Sequence, residues 1–544
     1  MRPIPWVPGE MLLGVHVDLQ PGTDPTGIVA ELRASVARVL GDIPIAEPVT
    51  AAEPPLLVPT LDGDRHLLFG HFTLGSAEPR LMRQAIARLN ARGQPGSLGD
   101  RFELVAATPN WFGAAQQDCC GGSPASQPVP TQPFGRRIRY APQVEVLDVV
   151  GRATESHAAR PGLQVAVLDT APDVSDLEWA RTAFHDNRHL AELIDRLQPP
   201  IGALEPPFED ARRRALATLE QHGGYHPVEA IPPADIRDHG LFVAGVVHAA
   251  APWVPIRLVR VLNNFGVGSL HALVIGLVAL TRAKRADQPL VVNLSLGMLP
   301  ALEQLASIWF GFPIQGLPGC PPDPALQFSS DHPSLTPSDL LALIERGDPS
   351  IAAAMDLLHA PLRRLMQVLQ AHRCLVVAAA GNDSVYRGLE RSPRWGPRLP
   401  AMYDAVLGVA ADTIHRQRPA RYSNRGEVPT ASVRDAVATA GGDLAADGLA
   451  PLAGIIGVYT AEQFPPLPVQ GPPRQNATGW AEWSGTSFAT PIMAGVAANV
   501  WQVRPGRTAA QVLDDMNAAP RAAGHPDVPD LGVPGVPVRL TWLP

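Results

Sequence analysis

Four side chains combine a reactive type with a setting that could make it react. Ser487 closes the loop Trp483-Ser484-Gly485-Thr486 and precedes an apolar, alanine-rich run, Phe488 to Ala498, of helical composition and length. A hydroxyl there meets the unpaired N–H groups and the positive end of a helix. Pro491 fits a first turn, where its missing N–H removes no helical bond. An ordinary N-cap serine would look the same in isolation. Asp169 follows the apolar run Leu163 to Leu168, so its carboxylate is costly to bury unless it is paired. Capping a turn is its structural alternative. His239 stands between Asp238 and Gly240 at the start of a helical stretch running to Ala250. Its near-neutral pKa suits proton shuttling, although most of the 16 histidines must be surface or structural residues. Asn382 ends Val376-Val377-Ala378-Ala379-Ala380-Gly381, where Gly-Asn could form a turn or aim N–H donors at a developing oxyanion. Hydroxyl, imidazole, carboxylate and amide donor are the parts of a nucleophilic acyl-transfer site.

The strings around these residues are more specific than the residues themselves. Gly485-Thr486-Ser487-Phe488-Ala489-Thr490-Pro491 resembles the nucleophile motif of the subtilisin-like serine proteases, the subtilases. Asp238-His239-Gly240-Leu241-Phe242-Val243-Ala244-Gly245 resembles their histidine motif, with Leu241 and Phe242 where the family usually has Thr and His. Asp169-Thr170 resembles the aspartate motif, with Ala171 where glycine commonly follows, and Val376 to Asp383 resembles the oxyanion segment. The order Asp169, His239, Asn382, Ser487 is the subtilisin order. Chymotrypsin-like enzymes run His, Asp, Ser, and α/β-hydrolases run Ser, Asp/Glu, His.

The resemblance implies that Ser487 is the nucleophile, His239 the general base and Asp169 the carboxylate that orients it. It implies an oxyanion hole formed by the Asn382 side chain and the Ser487 N–H. It further implies that Asn293 to Gly297 is a substrate strand. Ser295, Leu296 and Gly297, with Ala379, Ala380 and Gly381, would wall the pocket for the residue before the scissile bond. Arg421 to Gly426 resembles another family signature, expected to be structural support. The expected activity is that of a serine endopeptidase hydrolysing polypeptides through an acyl-enzyme. A non-catalytic peptide-binding scaffold of the same fold, and a dedicated processing protease for one intracellular partner, are the alternatives.

The elements that must position these residues are of two kinds. From about residue 161 to 544, apolar strands alternate with helices: Leu163 to Leu168, Ile256 to Val261, Leu290 to Leu294, Leu375 to Ala380 and Ala405 to Ala410 are separated by helical stretches that include 239–250, 270–285 and 356–371. This is the grammar of a doubly wound parallel α/β sheet, whose ligand sites lie at the carboxyl ends of the strands. Asp169, Asn293 and Asn382 stand at or near such ends. Residues 1–112 read instead as β-α-β-β-α-β, a small ferredoxin-like α+β unit. Its position resembles the inhibitory pro-domain of subtilases, with Glu103 to Trp111 as the segment entering the active site. Residues 113–160 read as a Pro/Gly/Ser-rich linker, poor in packing prospects from Cys119 to Gln132 and able to hold a maturation cut. Insertions near 175–225 and 298–355 are expected to emerge at the rim of the site.

Composition narrows the classes further. The 544 residues carry a net charge of −8, which argues against a nucleic-acid or anionic-membrane partner. The 59 prolines and 48 glycines imply long irregular connections. Four cysteines, Cys119, Cys120, Cys320 and Cys374, make neither a disulfide framework nor a metal spacing. No acidic loop has calcium-ligand spacing, so no metal and no cofactor are expected, and structural calcium finds no support. No signal peptide or apolar span is visible, and a cytoplasmic location is expected.

Overall fold

The computed structural model describes residues 6–19, 23–46, 54–61, 64–91, 98–114, 126–144, 162–221, 235–310, 339, 342, 349–384, 395–413, 418–424, 436–445, 450–465, 473–525, 527–528, 533 and 535–543. Cys119, Cys120, Cys320, Arg425, Gly426 and much of the 113–160 and 298–355 segments lie outside them.

The N-terminal unit runs β1 (Trp6–Asp18), α1 (Pro25–Leu40), β2 (Leu56–Pro59), β3 (Arg65–Thr73), α2 (Pro79–Ala91) and β4 (Phe102–Ala114). Its strands pair antiparallel in the order β2-β3-β1-β4, as the β-α-β-β-α-β reading requires. Ile28, Leu32, Val36 and Val39 on α1 and Met82, Ile86 and Leu89 on α2 are buried at helical spacing against this sheet.

Next come β5 (Val129–Pro130), β6 (Arg137–Pro142), β7 (Gln164–Asp169), α3 (Val174–Ala183), α4 (Arg188–Arg196), α5 (Phe208–Gln221) and α6 (His239–Ala250). They are followed by β8 (Ile256–Arg260), β9 (Val267–Ser269), α7 (Leu270–Ala283), β10 (Leu290–Leu294), α8 (Leu302–Phe310), α9 (Pro349–Ala371), β11 (Cys374–Ala379) and β12 (Val406–Asp412). The chain finishes with β13 (Ala436–Ala440), β14 (Asp443–Leu444), β15 (Pro451–Leu452), β16 (Ile455–Val458), β17 (Trp480–Trp483), α10 (Thr486–Val503), α11 (Ala509–Ala522), β18 (Gly535–Val536) and β19 (Val538–Leu543).

Seven strands form one parallel sheet in the order β18-β13-β12-β11-β10-β7-β8. Its central strands are continuous apolar runs because helices cover both faces. On one face lie α6 and α10, whose described side chains are almost all buried. Trp253 Nε1 donates to Asn499 Oδ1 at 2.8 Å, and Asn499 Nδ2 donates to the Ala250 carbonyl at 3.0 Å, which ties α10 to the end of α6. No helix of the described residues is long and apolar enough to cross a membrane.

The described part of the expected linker is packed. Ile138 and Tyr140 point inward on β6, which pairs with β19, and Tyr140 Oη donates to the Ile456 carbonyl at 3.0 Å. The strand period at 137–142 is hidden by the surrounding Pro and Gly.

Two buried histidines hold α6 from behind. His189 on α4 contacts the Gly245 carbonyl through Nε2 at 2.9 Å and stacks on Trp480. His248 on α6 faces Glu192 at 3.8 Å. Burial, with the neighbouring His248, pushes the His189 pKa down to about 3, and burial also lowers that of His248. Unfolded, an imidazole titrates near pH 6.5. Between about pH 6.5 and 3 the unfolded chain therefore takes up a proton at position 189 that the folded chain refuses. Stability is intact above that window and falls within it by roughly 1.4 kcal/mol per pH unit. Thermal midpoints measured from about pH 7.5 to about pH 5 should fall less steeply for His189→Gln, which cannot charge, than for the wild type. Parallel slopes would assign the acid sensitivity elsewhere.

Candidate active site

The carboxylate of Asp169 leaves the end of β7 fully buried. Its Oδ1 accepts from Thr170 N at 2.7 Å and faces His239 Nδ1 at 2.8 Å. The Thr170 hydroxyl fastens the strand end to the helix that carries the histidine. It donates to the Arg237 carbonyl at 2.9 Å and accepts from Gly240 N at 2.9 Å. Position 240 requires glycine because a Cβ there would run into the Thr170 carbonyl and stand 2.8 Å from Asp169 Cβ. Asp238, just before the histidine, is buried and accepts from Thr460 Oγ1 at 2.7 Å and Ala461 N at 2.6 Å. Burial nevertheless raises its pKa.

The three departures from the family strings are buried residues. Leu241 and Phe242 are inaccessible, and the Phe242 ring packs on Phe488 at 4.7 Å and Trp483 at 5.5 Å. Phe242 thereby acts on His239 through packing, since the imidazole itself lies against Trp483 and Phe488 at 5.5 and 5.3 Å. Ala171 is accommodated by Gly202, where a Cβ would stand 3.0 Å from the Ala171 methyl.

Ser487 does not take the place of an ordinary N-cap serine. Gly485 caps α10, and Ser487 is the second helical residue. Pro491 is the sixth, beyond the first turn, so it withholds the N–H that would otherwise bond the Ser487 carbonyl. The Ser295 hydroxyl takes that place, donating to the Ser487 carbonyl at 2.7 Å. Ser487 Oγ in turn donates to the Ser295 carbonyl at 3.1 Å. The hydroxyl thus rests on the end of β10, and His239 Nε2 has no hydrogen-bond partner among the described residues. Neither does Asp169 Oδ2.

Asn382 follows β11 and is oriented by the same helix start. Its Oδ1 accepts from both Thr486 N and Thr486 Oγ1 at 2.9 Å, which turns Nδ2 away from Thr486. Gly381 N donates to Thr486 Oγ1 at 3.2 Å. The Ser487 N–H is one of the first four of α10 and has no acceptor within the helix. Ser295, Leu296 and Gly297 after β10 and Ala379, Ala380 and Gly381 at the end of β11 are all buried, on neighbouring parallel strands. Behind them, Asn424 N donates to the Gly381 carbonyl at 2.9 Å, and Asn424 Nδ2 donates to Asp383 Oδ2 at 2.7 Å. The Arg421-Tyr422-Ser423-Asn424 string does support the site. Among the described residues, no group of three or more His, Cys, Asp or Glu could hold a metal ion.

The structure therefore brings together Asp169 and His239, and separately Ser487, Ser295, Asn382 and Thr486, with aromatic contacts joining the halves. The sequence motifs contain Thr170 and Thr486 without marking their roles, and give no direct sign of the compensation of Pro491 by Ser295. The last could have been found by counting four residues back from the proline.

A sequence model of the subtilase family matches residues 160–522. No curated protein sequence matches the chain. Among solved structures, fervidolysin from Fervidobacterium pennivorans, a keratinolytic enzyme related to subtilisin, is 15% identical, with 99% of this chain and 61% of that one covered at a TM-score of 0.47. The epidermin leader peptide processing serine protease of Staphylococcus aureus is 13% identical, with 97% and 96% covered and a TM-score of 0.46. A lanthipeptide protease is 19% identical, with 71% and 88% covered and a TM-score of 0.40.

Removing the Ser295 hydroxyl should leave the Ser487 carbonyl buried and unpaired, at a cost of about 1–3 kcal/mol. In chemical unfolding, Ser295→Ala should be destabilised by that order. Pro491→Ala should recover part of the loss in the Ser295→Ala background by restoring the helical donor. Additive losses in the double variant would refute the compensation.

Proposed function

The chain belongs to the subtilase family, and on that premise we propose that Asp169, His239 and Ser487 form its catalytic triad. The protein is a serine endopeptidase, and its substrates are polypeptides. The observation that carries the residue assignment is the fully buried Asp169–His239 pair, 2.8 Å apart, beside the helix start that holds Ser487.

Chemistry begins when Ser487 Oγ leaves the Ser295 carbonyl and turns to His239 Nε2. Catalytic hydrogen bonds are often long without substrate and tighten only when it is bound. Oγ attacks the peptide carbonyl carbon while His239 Nε2 takes its proton. The imidazolium then faces Asp169, whose buried carboxylate gains a charged partner at the moment the charge appears. The negative oxygen of the tetrahedral intermediate accepts from Asn382 Nδ2 and the Ser487 N–H, two donors oriented before reaction. Collapse breaks the C–N bond as His239 returns the proton to the leaving amine. Water, deprotonated by the same imidazole, then releases the acyl group and restores Ser487. These steps need no cofactor.

The N-terminal unit is proposed to be an intramolecular pro-domain. Support comes from β4, which continues past its own sheet and pairs antiparallel with β9, Phe112 with Ser269 and Gly113 with Gly268. Thr108 Oγ1 donates to the Leu358 carbonyl at 2.6 Å, and Asn110 Oδ1 accepts from His271 N at 2.9 Å at the start of α7. A chain so docked is held extended against the catalytic unit, and a cut within 113–160 would release it.

Intact mass of purified protein tests both parts. A fluorophosphonate should add once to the wild type and never to Ser487→Ala, and only the wild type should lose its N-terminal unit. Asn382→Ala should lower kcat by about 10²–10³-fold, the usual cost of one oxyanion donor. An adduct without shortening would keep the peptidase and remove self-processing. Absence of any adduct on the wild type would contradict the triad.

A further inference from the structure

The nucleophile touches two neighbouring strand ends. Ser295, after β10, exchanges hydrogen bonds with Ser487, and Gly381 and Asn382, after β11, hold Thr486. With a carbonyl carbon on Ser487 Oγ and its oxygen at Asn382, the acyl-side residue sits over the gap between Ser295–Gly297 and Ala379–Gly381.

That gap is occupied. A Cβ on Gly381 would stand 3.0 Å from Arg398 Cδ, and a Cβ on Gly297 would run into the same carbon. One methylene of Arg398 therefore lies against both walls. Its backbone is threaded between them too. Arg398 N donates to the Ala380 carbonyl at 2.8 Å, and Met298 N donates to the Leu399 carbonyl at 3.1 Å. The side chain is held rather than loose. Arg398 Nε and an NH2 nitrogen donate to the two Asp383 oxygens at 2.7 and 2.6 Å, a fork-to-fork pair in which Arg398 is 1% exposed. Asp383 is fixed in turn by Asn424 Nδ2 at 2.7 Å, and its N–H donates to Asn424 Oδ1 at 2.7 Å. A buried arginine pinned at its head cannot swing aside as a solvated one would.

We propose that Arg398 is the specificity-determining floor of the pocket before the scissile bond, closing it to all but small side chains such as Gly, Ala and Ser. The inference rests on the peptidase assignment above. Because Asp383 engages the guanidinium in a bidentate pair, Arg398 acts here by volume and does not recruit an acidic side chain.

The test is kcat/KM on matched peptides with Ala, Phe or Glu before the scissile bond, using purified protein that a fluorophosphonate labels at Ser487. The wild type should prefer Ala over Phe and over Glu by about 100-fold, a ratio available to steric exclusion from a closed pocket. The paired variant Arg398→Ala with Asp383→Asn, which leaves no lone buried carboxylate, should narrow the Ala-to-Phe ratio to about tenfold or less. Equal or better cleavage after Phe by the labelled wild type would overturn the proposal and leave the peptidase assignment standing. Preference for Glu would overturn it in favour of an exposed cation. Failure of the wild type to label would defeat the peptidase assignment and this inference with it. The wild-type profile decides the matter even if the paired variant does not fold.

Discussion

The site depends on one buried carboxylate. Asp169 ends a buried strand of the parallel sheet, flanked by β10 and β8, where an ion without partners would cost several kcal/mol. Among the described residues it is met by its neighbour's N–H and by His239, so the strand end and the helix start must be fitted closely. Thr170 and Gly240 make that fit, one by a hydroxyl shared between the two elements and the other by having no side chain. The rest of the catalytic unit holds α6 where this pair needs it. Asn499 secures one end, His189 and Glu192 brace its back, and Phe242 packs on Phe488 and Trp483, the two rings that lie against the imidazole.

The nucleophile half obeys a different constraint. Pro491 leaves the Ser487 carbonyl without its helical donor, and a hydroxyl from the neighbouring strand supplies one. The exchange places Ser487, Ser295 and, through Thr486, Asn382 in a single bonded unit at the junction of β10, β11 and α10. Backbone and side chain hold the serine jointly, so the unit resists displacement as a whole while Oγ keeps freedom to rotate. The same junction carries the pocket walls, which explains how a residue as distant in sequence as Arg398 bears on the reaction.

Much of this was legible because it is local. Continuous apolar runs ending in Asp169 and Gly381-Asn382 give buried parallel strands with polar residues at their carboxyl ends, and the periodic Ile28, Leu32 and Val36 give a one-sided helix. The last two strands at one side of the sheet, β13 and the edge strand β18, carry little signal, since Ala436–Ala440 has little apolar contrast and Gly535–Val536 is two residues long. Strands at 129–130 and 137–142 were obscured by Pro and Gly, because their partners, β17 and β19, lie hundreds of residues away. Pro491 falls in the second turn instead of the expected first, because the helix begins one residue before Ser487 and not after it. Arg398 carried no signal at all. Its meaning comes from Gly297, Gly381 and Asp383, which only the folded chain brings around it.

The most direct measurement is a crystal structure of the protein after reaction with a fluorophosphonate. Phosphorus should be bonded to Ser487 Oγ, now turned away from the Ser295 carbonyl. Its phosphoryl oxygen should accept from Asn382 Nδ2 and the Ser487 N–H, with His239 Nε2 within hydrogen-bond distance of Oγ and Nδ1 still on Asp169. An adduct at another residue, or one at Ser487 whose phosphoryl oxygen points away from Asn382, would contradict the account.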